Sequence, residues 1–163
     1  MTWESHRDIE RLMFRYARSV DLAQWEELGR LFAHGRVRAT TSDDVASGAT
    51  EVANLWASVN KVHGDGTLRT RHLLTNIMIE IDEDGGTATA ESYFMVFQAT
   101  DRTPLQPIAG GRYTDQFRRR DGMWCFEEKF IHVDQVGNVA DHLVVALDEG
   151  PIAFDDLPPN PAG

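Results

Sequence analysis

Ile9, Leu12, Met13, Tyr16, Ala17 and Val20 recur three and four residues apart. That spacing lays them along one stripe of an amphipathic α-helix. Ser5, followed three residues later by Asp8, marks its start in the manner of a capping box. Asp21 interrupts the stripe, and "DLAQWEELGRLFA" resumes it with Trp25, Leu28, Leu31 and Phe32. Gln24 stands three residues after Asp21, so Asp21 also reads as the N-cap of this second helix. A short strand over about 36–41 and a polar loop, "SDDVASGAT", lead to a third helix. Its apolar face is Val52, Leu55, Trp56, Val59 and Val62.

After "HGDG" the period changes from 3.6 to 2, which predicts four long strands over 71–82, 87–99, 110–120 and 123–134. "DEDGGT" joins the first two, and Asp121-Gly122 is a tight-hairpin signal between the last two. Three helices followed by antiparallel strands predict an α+β fold. A curved sheet wrapped round the helices buries all three stripes, giving a cone-shaped barrel with a cavity between sheet and helices. One domain over 1–134 follows, with a tail over 135–163 that ends in "DLPPNPAG" and reads as partly extended or disordered. In the first long strand Leu73, Thr75, Ile77, Ile79 and Ile81 alternate with the cavity-facing set. An outer face that apolar predicts a homo-oligomer, dimer or trimer, through the sheet.

Composition narrows the function by exclusion. The 163 residues carry a net charge of -10, so no basic stripe is available for nucleic acid or anionic lipid. The single cysteine, Cys125, reads as an inert core residue and fits a reducing compartment. A charged N-terminus without an apolar run, and no stretch near ~18 apolar residues, predict a cytoplasmic domain without signal peptide or membrane span. The sequence contains no HExxH, no Cys/His cluster, no GxxxxGK[ST], no GxGxxG and no GxSxG. Neither a metal nor a dinucleotide cofactor is therefore expected. "DEDGG" lacks the spacing of a calcium loop and reads as a turn.

What remains is a set of polar residues at apolar positions. Tyr16 lies on the first helix stripe and Asp21 at the helix junction. His72 opens a buried strand in "TLRTRHLLTN", and Gln98 and Tyr113 lie in neighbouring strands. Lys129 sits mid-strand, alternating with Cys125, Glu127, Ile131 and Val133. Each has an ordinary structural reading: a core tyrosine, a helix cap, a strand-end histidine, a snorkelling lysine. His6, His34, His63 and His142 fall in helix-start or loop contexts and read as solvated. His132 alternates out of phase with Lys129 and faces away from a cavity.

The order of elements, with "YARSVDLAQWEELGRLFA", "TLRTRHLLTN" and "GGRYTDQFRRRDGMWCFEEK", resembles the SnoaL-like group of the nuclear-transport-factor-like superfamily. Within it the chain looks most similar to scytalone dehydratase, bile-acid 7α-dehydratase and hexachlorocyclohexane dehydrochlorinase. The resemblance implies that Asp21 and His72 form an Asp–His dyad. It also implies that Tyr16 assists an enolate-like oxygen or leaving group, and that Lys129 replaces an arginine. Two tyrosines of scytalone dehydratase correspond to Val20 and Thr40 here, and its second cavity histidine to about Gln98. The implied activity is a cofactor-free, dehydratase-like elimination on a hydrophobic cyclic small molecule. Phe94, Val96, Gln98, Tyr113 and Met78 would line the substrate cavity. A ketosteroid-type isomerase and a non-catalytic binding or subunit module of the same fold are the alternatives.

Overall fold

The first helix, α1, spans Trp3–Asp21 and buries Ile9, Leu12, Met13, Tyr16, Ala17 and Val20, the stripe its sequence spacing defines. Its start differs from the Ser5 expectation: Thr2 is the N-cap, accepting a hydrogen bond from the Ser5 amide at 3.2 Å. Glu83 clamps this end to the sheet, accepting from the Thr2 amide at 2.8 Å and from Ser5 and Arg119. The second helix, α2, spans Trp25–Leu31, with Gln24 at a cap position that makes no side-chain cap bond. Asp21 is therefore the last residue of α1 and not the cap of α2; its carboxylate is engaged elsewhere. The third helix, α3, spans Gly48–Val59, and Val62 lies beyond it, exposed.

A computed structural model describes residues 2–147 and the backbone of 150 and 151. Its strands are β1 (Arg36–Ala39), β2 (Ser42–Ser47), β3 (Thr70–Asp82), β4 (Thr87–Gln98), β5 (Gln106–Arg120), β6 (Met123–Val136) and β7 (Gly150–Pro151). Six run in the order β2-β1-β6-β5-β4-β3, and β7 pairs with β6 beside that path. The expected α+β class is the one observed, with the sheet open at β2 and β3 and not closed into a barrel. Most of the expected polar loop before α3 is strand β2, and β1 pairs with β6 in parallel. Asp121 and Gly122 both have positive φ, 49° and 80°, as a type I′ hairpin turn requires.

Bulges decide which side chains face the helices. Asn76, at φ 53°, interrupts the β3–β4 register between Thr75 and Met78. One extra residue turns every later side chain to the other face. His72 and Leu74 thus point inward before the bulge, and Ile77, Ile79 and Ile81 point inward after it, packed against the core. The expected outer set is split: only Leu73 and Thr75 lie outside. A second register shift, between Gln116 and Phe117, does the same in β6. Trp124 and Phe126 face inward before it, and Lys129 faces inward after it. Cys125 and Glu127 therefore do not share the face of Lys129.

Aromatic side chains fill the space where helices meet sheet. Tyr16 meets Phe32, Trp56 and Tyr113 edge-on, and Phe32 and Phe126 stack at 4.8 Å between centroids. Each such fully buried ring contributes on the order of 1.5–3 kcal/mol over an exposed one. Residues 137–147 pack onto the same body: the Lys61 amide donates to the His142 carbonyl at 2.8 Å, and Leu143 bridges to Asn60. The expectation of an extended or disordered tail for 148–149 and 152–163 lies outside the described residues. Among the described residues no helix is long and apolar enough to cross a membrane.

Candidate active site

The end of α1 runs into the start of β3, and the first inward-facing residues of that strand meet the last residue of the helix. Asp21 Oδ1 accepts from Thr70 Oγ1 at 2.6 Å and lies 2.6 Å from His72 Nδ1. Oδ2 accepts from the His72 amide at 3.0 Å. Both side chains are buried. Burial by itself would raise the Asp21 pKa, but the hydrogen bonds and charge of His72, with those of Thr70 and the His72 amide, outweigh it and hold the carboxyl below its ordinary range. A carboxylate at Oδ1 assigns the proton of neutral His72 to Nδ1, which leaves the Nε2 lone pair free to act as a base. Thr70 lies two residues before His72, so strand alternation puts both on one face. That signal is legible in the sequence.

Lys129 is fully buried, and so is Asp115, a residue that sequence reasoning left out. Their atoms are 3.0 and 3.1 Å apart. Lys129 Nζ also lies 3.5 Å from the Tyr113 ring centroid and 4.3 Å from that of Tyr16. Burial lowers the lysine pKa and raises that of Asp115, with their mutual attraction opposing both shifts. Lys129 neither snorkels to solvent nor presents an unneutralised cation to a leaving group, because Asp115 already balances it. Asp115 alternates with Tyr113 and Phe117 along β5, so its inward orientation was available from period 2.

Tyr16 is enclosed, its ring edge-on to those of Phe32, Trp56 and Tyr113; burial, then the charge of Asp115, pushes its pKa well up. Phe94 stacks on Tyr113 at 4.4 Å, and Phe94, Val96, Gln98 and Tyr113 all face inward and are buried. Met78 does not: it is 63% exposed on the outer face, because the bulge at Asn76 reverses its side. A cleft of about 550 Å³ adjoins the dyad between α1 and β3. Phe14, Ala17, Arg18, Leu22, Arg71 and Leu73 line it beside Asp21 and His72. None of the five residues expected to line a substrate cavity borders it.

His142, expected to be solvated, is buried. Its pKa falls to about 3, chiefly through burial, with the charges of His72 and His63 adding to the effect and that of Asp21 opposing it. His34 is exposed, as expected, whereas His6 and His63 are half-buried. His132 faces away from the helices and lies 3.1 Å from Thr114 Oγ1.

An α+β cone with a buried Asp–His pair where its first helix meets the sheet edge defines the class of protein. A SnoaL-like domain matches residues 1–129, and the chain belongs to that family. Solved structures agree on the fold. A candidate scytalone dehydratase from Novosphingobium aromaticivorans is 22% identical with a TM-score of 0.67, covering 91% of this chain and 93% of that one. An NTF2-like protein with a cystatin-like fold from the same organism is 21% identical, TM-score 0.69, covering 84% and 86%. A candidate aromatic ring hydroxylase, again from that organism, is 20% identical, TM-score 0.68, covering 86% and 98%. No curated protein matches this sequence.

Proposed function

We propose that the protein is a cofactor-independent lyase that carries out a dehydratase-like elimination on a hydrophobic cyclic small molecule. The observation that carries the reading is the 2.6 Å contact between His72 Nδ1 and Asp21 Oδ1, braced by Thr70 and the His72 amide. Three bonds to one carboxylate exceed what a helix terminus needs. They lock the imidazole in a single tautomer and orientation.

His72 Nε2 takes a proton from carbon beside an electron-withdrawing group. The C–H electron pair becomes the new C=C bond, the neighbouring C–O bond breaks, and the hydroxyl leaves as water with the proton that His72 carried. Asp21 stabilises the imidazolium in between without itself taking the proton. General-base catalysis of this kind supplies ~10²–10⁴-fold, and the rest comes from positioning in a low-dielectric site. The cleft against the dyad falls within the ~300–1,000 Å³ range of small-molecule sites.

One observation favours a second reading. The fold is also shared with the beta subunit of a candidate aromatic-ring-hydroxylating dioxygenase (16% identical, TM-score 0.64), which supports a subunit or binding module. Mass spectrometry of incubations with hydroxylated ketones, phenols and steroids separates the readings. Loss of water that disappears in Asp21→Asn supports the lyase. Conversion without mass change indicates an isomerase, and no conversion across the panel overturns the enzyme reading.

A further inference from the structure

The cleft beside the dyad carries two arginines that the elimination does not use. Arg18 stands on α1 one turn before Asp21, and Arg71 stands on β3 immediately before His72. Both line the cleft and both are exposed. Every arginine of the chain except Arg7, Arg18 and Arg71 is paired with a carboxylate. Among the described residues neither cleft arginine has an acidic partner. Arg71 donates to the Thr70 carbonyl at 2.6 Å, which pins one corner of the guanidinium and leaves its other N–H groups unspent.

A shortage of acids does not explain this, since the chain has 26 acidic residues to 16 basic ones. Among the described residues Asp21 is the one acid lining the cleft, and Thr70, the His72 ring and the His72 amide already occupy it. A place in the last turn of α1 accounts for Arg18 as a complement to the helix dipole, but gives Arg71 no role. The rest of the cleft wall is largely apolar, with Phe14, Ala17, Leu22, Leu73 and Leu74. An apolar cleft with two unpaired guanidinium groups fits an apolar body that ends in an anion.

We infer that Arg18 and Arg71 form an anion-binding subsite, and that the substrate is a ring compound carrying a carboxylate. The inference deepens the lyase reading and rests on it for the identity of the site. Guanidinium forks match a carboxylate in plane and in charge. A phosphate dianion would meet twice the repulsion from a chain of net charge -10, which favours the singly charged group. An ionised carboxylate acidifies a neighbouring C–H weakly. It is therefore a handle, and a separate electron-withdrawing group activates the carbon that His72 deprotonates. Held from the helix and from the strand, the handle orients the ring against His72 Nε2, where binding energy remote from the reacting atoms lowers the barrier.

The test is calorimetric titration of the full chain with 2-naphthoate and its uncharged isostere, 2-naphthamide. The wild type should bind 2-naphthoate at least about tenfold tighter. Arg18→Gln and Arg71→Gln should each weaken 2-naphthoate about fivefold and leave 2-naphthamide within about twofold, and the double variant should bind the two probes alike. In ¹⁵N-histidine-labelled protein, 2-naphthoate at saturation should shift the His72 resonances. Equal wild-type affinity for the two probes overturns the inference whatever the variants do. So does failure of both to bind, an unmoved His72, or a preference that survives in the double variant. Tighter binding of 2-naphthyl phosphate than of 2-naphthoate overturns the carboxylate assignment. Failure of the lyase reading shows separately, as conversion that survives Asp21→Asn while the 2-naphthoate preference and its loss in the double variant stand.

Discussion

Asp21 and His72 act as one unit in the proposed reaction, which gives their substitutions a signature. His72→Ala and Asp21→Asn should each lower turnover by at least about 10²-fold, and the double variant should be little worse than either single one. Steady-state kinetics on the first converted substrate checks this; additive losses would dissolve the unit. Stability carries its own pH signature. The folded pKa of Asp21 lies below its unfolded value. Its contribution is therefore complete above the ordinary carboxylate pKa near ~4 and is lost as pH falls through the folded value. Urea unfolding of wild type and Asp21→Asn at pH 7 and pH 3 should show a gap that narrows on the acid side. Tyr16 belongs to the packing: with its hydroxyl among Trp56 and Tyr113, Tyr16→Phe should cost about 1 kcal/mol and change turnover by less than about fivefold. A tenfold loss of turnover with stability intact would return Tyr16 to the reacting atoms.

Single residues set the behaviour of whole strands. At Asn76 the backbone is left-handed, a conformation that Asn and Gly adopt and β-branched residues resist. Asn76→Gly should be near neutral, whereas Asn76→Val should cost about 1–2 kcal/mol in chemical denaturation. The charge pair between β5 and β6 has an asymmetric dependence of its own. Asp115→Ala leaves a buried ammonium unbalanced among Tyr16, Tyr113 and Phe126 and should destabilise by about 3–5 kcal/mol. Replacing both partners, Asp115→Leu with Lys129→Met, should recover most of that loss, because no buried charge is then left. If the double variant is as unstable as the single, the pair does more than neutralise itself.

Assembly is argued from what the outer sheet face still exposes. Leu73, Met78 and Tyr93 are 46%, 63% and 55% exposed on β3 and β4, a smaller apolar patch than unbroken alternation predicts. We propose a homo-oligomer, dimer or trimer, through this face. Light scattering at micromolar concentration should give more than the monomer mass, and Leu73→Lys with Tyr93→Glu should bring it down to the monomer. A monomer in the wild type would refute the assembly.

Local pattern determined the three helices, the four long strands, the Asp121-Gly122 turn and the inward positions of Phe94, Val96, Gln98 and Tyr113. These follow from hydrophobic period and turn chemistry, which act over a few residues. The family resemblance pointed to Asp21 with His72. Their spacing did not, since fifty residues of chain separate a helix end from a strand start. Tertiary structure decided what depends on register and closure. A one-residue bulge at Asn76 turned Met78 outward and Ile77, Ile79 and Ile81 inward, and alternation counted along the sequence cannot see an extra residue. The Lys129–Asp115 pairing needed β5 and β6 in register. The burial of His142 needed residues 137–147 to fold back over the β4–β5 connection, a long-range contact with no local signal to announce it.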